Sequence, residues 1–149
     1  MKDSKRIWAW VGVAIIVIVI VAWFVWKFGA AHPVASGPTP VFAPQGQLVP
    51  QFPKGLIVDG DAAISGSYAI NYSSSTNQYT AEYDSSSTVT SLYKDYQSYL
   101  SANGWVVTGS LATHPTFDAL AATQGSNQLQ VVISTKAKGS QVTITYLVK

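Results

Sequence analysis

The chain has 149 residues, of which 48% are hydrophobic and only 11% are charged, and its formal net charge is +2. Four basic side chains and one acid before residue 29 leave +3, whereas five lysines and six acids from Lys54 onward leave −1. The C-terminal part therefore lacks the basic surface that nucleic-acid binding requires. The sequence has no cysteine, which excludes disulfide bonds and a lipid-modified cysteine.

Residues 7–28 predict a transmembrane helix. The segment has no charge before Lys27, and at 1.5 Å per residue its length of about 33 Å covers a hydrocarbon core of about 30 Å. Two tryptophans lie near each end, as in interfacial belts. The basic residues Lys2, Lys5 and Arg6 predict that residues 1–6 are cytoplasmic and that the C-terminal part lies outside the cytoplasm, anchored to the cell membrane by a single pass through the lipid bilayer. A cleaved signal peptide is the alternative, because residues 29–31 are small.

Residues 29–53 predict a proline-rich linker. They hold six of the seven prolines and no charged side chain. Proline fixes φ and removes an N–H donor, so we expect an extended, semi-rigid tether. The extracytoplasmic domain is predicted to occupy residues 54–149.

A β-hairpin is predicted at the start of this domain, because apolar residues there recur with a period of two. The polar run at residues 73–78 separates the two strands. The residues expected to share the core face are Tyr68, Ile70 and Tyr72 in the first strand and Tyr79, Ala81 and Tyr83 in the second.

A helix follows, because the apolar spacing changes to a helical period. Its apolar stripe comprises Val89, Leu92, Tyr93, Tyr96 and Leu100. Either Ser87 or Thr88 can cap its N-terminus, and the pair Asn103-Gly104 tolerates the left-handed conformation that ends a helix.

Further alternating segments predict the remaining strands, near residues 105–108, 117–123, 128–133 and 141–146, with turns at GSN and KAKG. One helix and several strands that are each apolar on one face predict an α+β domain. Its sheet is mostly antiparallel, in the order ββαββββ, and the helix packs on one face.

The helix exit contains Tyr96, Leu100, Gly104 and Trp105, which fit the pattern Y-x-x-x-L-x-x-x-G-W. In this pattern residues 54–149 resemble small exported modules of the bacterial cell envelope, and they are distantly similar to the helix-over-sheet domains of the BamC family. The resemblance implies a scaffold or binding role in the envelope, without catalysis.

Signatures of catalysis or of cofactor binding are missing from the sequence, which has no G-x-S-x-G, H-E-x-x-H or GxxxxGK[ST] motif. Asp59 and Asp61 in DGD invite a calcium site, but Ala63 and Ile64 stand where such a loop needs ligands, so a solvated turn is favoured. We expect no enzyme, cofactor or metal, with a hydrolase as a minor alternative.

Tyrosines are the remaining candidates for a binding site, since seven of the eight lie between residues 68 and 99. Tyr68, Tyr72, Tyr79 and Tyr83 could form a platform for a peptide or glycan. Their alternation favours burial against the helix instead. The functional hypothesis is a membrane-anchored envelope protein that binds a protein or glycan partner, and the alternative is a structural spacer or a self-assembling surface subunit.

Overall fold

Seven antiparallel strands form one sheet in the computed structural model, which describes residues 37–112 and 116–149. The elements are β1 (Val41–Phe42), a short 3-10 helix (Lys54–Leu56), β2 (Ala63–Asn71), β3 (Asn77–Ser85), α1 (Val89–Ala102), β4 (Val106–Leu111), β5 (Phe117–Gln124), β6 (Asn127–Thr135) and β7 (Ser140–Val148). The strand order is β1-β2-β3-β7-β6-β5-β4. These elements belong to a compact unit that spans Pro38–Lys149, and they confirm the α+β class with a mostly antiparallel sheet and one helix. The order is βββαββββ rather than the predicted ββαββββ, because β1 falls in the predicted linker.

The predicted transmembrane segment 7–28 and the cytoplasmic residues 1–6 lie outside the described residues. Among residues 37–112 and 116–149, no helix has the length and apolar character needed to cross a membrane.

Helix α1 forms as its sequence predicts. The Thr88 side chain caps the N-terminus by accepting a hydrogen bond from the Ser91 N–H at 3.2 Å. Gly104 adopts φ 75° directly after the helix, where a left-handed residue ends a helix without steric cost. The residues of α1 that are buried are Leu92, Tyr93, Tyr96 and Leu100, so the predicted apolar stripe is confirmed.

The β2–β3 hairpin is confirmed, but the predicted facing of β2 is wrong. Tyr79 lies opposite Ala69, and Tyr68 lies opposite Thr80. Opposed residues of an antiparallel pair share a face, so Tyr79 shares its face with Ala69, whereas Tyr68 points to the other side of the sheet. Ser67 is on the core face and is only 4% exposed.

The predicted linker ends earlier than residue 53. Strand β1 pairs with β2, and Val49 and Phe52 are 4% and 3% exposed within the hydrophobic core. The Phe52 N–H donates to the Val49 carbonyl at 3.0 Å, so the chain turns between the two side chains. Prolines suit such turns because a missing N–H leaves no donor unsatisfied. The linker prediction is therefore wrong from Val41 onward, and its residues 29–36 lie outside the described residues.

Hydrogen bonds of Ser67 connect the segment that contains Ala43 and Val49 to the sheet. Its hydroxyl donates to the Thr80 carbonyl at 2.9 Å and accepts from the Val49 N–H at 3.1 Å, while the Ala43 N–H donates to the Ser67 carbonyl at 2.9 Å. Each of these buried polar atoms has a partner, so a serine is accommodated on the core face.

The core is covered by two elements. Helix α1 contacts β4, β5 and β6, and the segment around Val49, Phe52 and Leu56 belongs to the same buried cluster. The Tyr96 hydroxyl donates a buried hydrogen bond to the Leu56 carbonyl at 2.9 Å, which connects α1 to this segment. The opposite face of the sheet has no helix packed on it in the described part of the chain.

Candidate binding face

The uncovered side of the sheet is the candidate functional surface, and we call it the open face. Strand register assigns to it the residues that alternate with the core residues. Its main members are Phe42, Tyr68, Ile70, Gln78, Glu82, Val106, Ala119, Ala121, Thr123, Gln128, Gln130, Val132, Thr143, Thr145 and Leu147. Thr80 is on the same side of the sheet but is only 2% exposed. Threonine and glutamine predominate on the central strands, so the centre of this face is polar and carries little charge.

A depression of about 330 Å³ lies on the open face. Its walls come from β3, β4, β5, β6 and β7, and none of them is charged. The lining residues are Gln78, Thr108, Ala121, Ala122, Thr123, Gln128, Leu129, Gln130, Thr145 and Leu147. Among them, Ala122 and Leu129 border the depression, but they face the core and are only 1% and 3% exposed. Amides and hydroxyls donate and accept hydrogen bonds, while Ala121 and Leu147 add apolar contact area. This combination suits a neutral ligand that carries many hydroxyl groups.

The Gln78 side chain is held in place at the rim of the depression. Its Oε1 accepts a hydrogen bond from the Tyr72 hydroxyl at 3.1 Å, and its Nε2 donates to Thr80 Oγ1 at 3.3 Å. An amide has two acceptor lone pairs and two donor hydrogens, so one of each remains for a ligand. Tyr72 thereby orients a group that lines the depression.

Aromatic rings extend the open face towards β1. The Phe42 side chain is 69% exposed, and its ring centroid lies 5.5 Å from that of Tyr68. The Tyr72 side chain is 51% exposed. Exposed aromatic rings offer flat apolar area with little loss of side-chain entropy on binding.

The four candidate tyrosines do not form one platform. Tyr68 and Tyr72 belong to the open side, whereas Tyr79 and Tyr83 point into the core. Tyr83 is fully buried, and Tyr79 stacks on Tyr146 with centroids 6.3 Å apart. The interpretation as core residues is therefore right for Tyr79 and Tyr83 and wrong for Tyr68 and Tyr72.

The buried tyrosines form a hydrogen-bonded pair. The Tyr83 and Tyr96 hydroxyls lie 3.0 Å apart, and since Tyr96 gives its only proton to the Leu56 carbonyl, Tyr83 is the donor to Tyr96. Burial is the main cause that raises the pKa of Tyr83 to about 12. Burial, together with the nearby Tyr83, also raises the pKa of Tyr96. This pair stabilises the core and is inaccessible to a partner.

The DGD segment forms a turn, as predicted. The Asp59 Oδ1 accepts from the Asp61 N–H at 3.0 Å, and its Oδ2 accepts from the Ser85 hydroxyl. Another carboxylate, Asp84, pairs with Lys136 at 2.8 Å, where both side chains are 43% exposed. Among residues 37–112 and 116–149, no group of three His, Asp or Glu side chains is arranged to hold a metal ion.

Sequence reasoning missed the residues that line the depression. Gln128 and Gln130 are the polar positions of an alternating strand, a pattern that indicates only a solvent-facing side. Gln78 belongs to the polar run 73–78 that was predicted to be a turn, but it lies in β3. A signal was present in the repeated spacing Gln128-x-Gln130 and Thr143-x-Thr145. The spacing could not show that these strands are neighbours.

No protein-family model, curated protein or solved structure matches the chain. The similarity to BamC domains therefore stays a prediction, and the functional argument depends on the geometry of the open face.

Proposed function

We propose that this chain is a single-pass membrane protein of the cell envelope whose C-terminal domain binds a neutral glycan on the open face of its sheet. The observation that carries the proposal is the uncharged depression, in which Gln78, Gln128, Gln130 and Thr145 present amides and hydroxyls around apolar floor atoms. The membrane anchor in this proposal comes from the sequence of residues 7–28.

The chemistry of the depression favours a glycan over a charged ligand. A phosphate or carboxylate ligand needs cationic partners, and the lining contains none. A neutral sugar offers hydroxyl donors and acceptors on its edges and apolar C–H faces. The orienting bonds from Tyr72 and to Thr80 leave Gln78 with one donor and one acceptor for such hydroxyls. The size of the depression lies at the lower end for small-ligand sites, which suits one part of a longer glycan chain.

The exposed rings at the β1 end give the glycan a second contact. Tyr72 couples the two regions, since its hydroxyl contacts Gln78 while half of its side chain is exposed. A glycan that enters the depression and continues towards Phe42 would contact the amides and hydroxyls of the depression first and the exposed aromatic rings afterwards.

Binding of the full-length protein, in mild detergent, to an array of neutral and acidic oligosaccharides tests this proposal. We expect retention of neutral glycans that changes little with salt, because the lining carries no charge that salt would screen. Gln130→Ala should weaken binding by about 5-fold to 30-fold, the value of one or two hydrogen bonds. Gln97→Ala is the matched control, since Gln97 is an exposed glutamine on α1 and away from the open face.

The proposal is overturned if the array retains no neutral glycan, if acidic glycans bind in a salt-sensitive way, or if both glutamine variants bind alike. The anchor is tested separately by fusing alkaline phosphatase to the C-terminus in bacteria, where activity requires export. We expect an active fusion in the membrane fraction, and an inactive fusion would contradict the predicted orientation.

A further inference from the structure

The two edges of the sheet differ in the features that prevent pairing with another strand. Strand β1 has two residues and lies between Pro40 and Pro44, and short length and proline both block the addition of another strand. Strand β4, at the other edge, has six residues with neither proline nor charge. Its outer row of backbone groups has no strand beside it in the described part of the chain.

The side chains of β4 are exposed and partly apolar. All six residues are exposed, and the exposed fractions are 64% for Val106, 43% for Val107 and 43% for Leu111. Edge strands are commonly protected by a charged side chain, by proline, by short length or by a β-bulge. Of these features β4 has only a bulge, so it is the less protected of the two edges.

A β-bulge makes the distribution of β4 side chains between the two faces symmetric about the centre of the strand. The register shifts between Val107 and Gly109, where β4 has one residue more than β5. The pairs on either side are Val106 with Thr123, Val107 with Ala122, Ser110 with Leu120 and Leu111 with Ala119. Since opposed residues share a face, Val106 and Leu111 are both on the open face. Val107 and Ser110 are both on the core face. Without the extra residue, the two members of each pair would point to opposite sides.

We propose that β4 pairs in antiparallel fashion with β4 of a second copy of this chain, about a two-fold axis between Thr108 and Gly109. In this register Val106 of one copy lies opposite Leu111 of the other on the open face. On the core face, Val107 lies opposite Ser110. Both of these opposed pairs share a face, as an antiparallel ladder requires. Isologous contact of this kind is the common symmetry of homodimers.

The chemistry of the strand favours a second copy as its occupant. An uncharged strand offers no ion pair to a charged partner, and two copies of it do not repel each other. The opposed valine and leucine add an apolar cross-strand contact. Pairing joins the two seven-stranded sheets with both open faces on one side, so that two depressions face the same ligand surface. A long glycan could then engage both, which raises avidity through effective concentration.

Disulfide trapping in the full-length protein tests the register, because the chain has no cysteine of its own. Opposed Cα atoms lie about 4.5–5.5 Å apart in an antiparallel pair, within the range of about 4.4–6.8 Å that a disulfide spans. The double variant Val106→Cys with Leu111→Cys should therefore form a covalent dimer on mild oxidation. Val106→Cys alone is the control, since its two copies are separated by about 16 Å along the paired strands.

Sedimentation equilibrium of the full-length protein in detergent gives a second test. Thr108→Lys places two ammonium groups next to each other across the axis, and we expect it to weaken dimerisation at least about tenfold. Phe42→Lys adds the same charge at the β1 edge and should leave the dimer intact. The proposal is overturned if the parent is a monomer, if Thr108→Lys retains folded secondary structure and the parent's dimerisation, or if the single and double cysteine variants cross-link equally.

Discussion

Phe52→Ala tests whether the segment before Lys54 belongs to the core. The Phe52 side chain is 3% exposed and lies in the same buried cluster as Val49 and Leu56. Replacing a buried phenylalanine by alanine costs about 3–5 kcal/mol, through lost burial and the cavity that remains. A domain of this size has an unfolding free energy of about 5–15 kcal/mol. The variant should therefore lose at least about a fifth of its stability.

Urea unfolding of the compact unit Pro38–Lys149 measures this loss. Trp105 is the single tryptophan of the unit, and its ring lies 6.1 Å from that of Tyr146 in an edge-on contact, so its fluorescence should report unfolding. Gln51→Ala changes the exposed neighbour and should alter the free energy by less than about 0.5 kcal/mol. Phe52→Leu, which keeps most of the volume, should cost less than Phe52→Ala.

The reasoning is refuted if Phe52→Ala and Gln51→Ala unfold at the same urea concentration with the same slope. The segment would then be a tether, as its proline content first indicated.

Three further predictions concern the core and a turn. Leu100→Ala should lower the unfolding free energy by about 2–5 kcal/mol, because Leu100 is buried. Ser98→Ala, on the exposed side of α1, should change it by less than about 0.5 kcal/mol. Equal small effects of the two variants in urea unfolding would contradict the packing of α1. Gly139→Ala should destabilise the β6–β7 turn by more than about 1–3 kcal/mol in the same assay, because φ is 76° there and a Cβ would overlap the Ser85 carbonyl oxygen; a stable variant would contradict this. The unfolding free energy should fall as pH rises from 10 to 12. The pKa of Tyr83 is about 12 in the folded state against an ordinary 10.0, so in this pH range Tyr83 ionises only in the unfolded state. If Tyr83→Phe leaves the pH dependence unchanged, Tyr83 is not its cause.

Periodicity predicted the elements well because it depends on local sequence. The stripe of α1 and its cap are set by side chains within one or two turns of each other. The hairpin follows from two alternating runs separated by a polar turn. These features need no knowledge of the rest of the fold.

The predicted core face of β2 and the predicted end of the linker were wrong, because both depend on residues that are distant in the sequence. A period of two does not say which side of a strand is buried, and in β2 the side with Ser67 and Ala69 is covered by the segment that holds Val49. A serine can occupy this face because its hydroxyl is satisfied by two backbone groups. The side with Tyr68 has more apolar atoms but no element to cover it in the described residues.

The candidate site also arises from non-local pairing. Gln78, Thr145 and Gln130 line the same depression only because β3 lies beside β7 and β7 beside β6. Strand order of this kind is not encoded in the spacing of any single segment. The sequence therefore indicated the polar positions but could not assemble them into a depression.

Nuclear magnetic resonance titration of the isotope-labelled unit Pro38–Lys149 with a neutral oligosaccharide, chosen from the array, tests glycan binding on the open face most directly. The account predicts shifts of the side-chain amides of Gln78, Gln128 and Gln130, together with Tyr72, and little change at Gln97 on α1. Shifts confined to α1, or no shifts at saturating glycan, would contradict it.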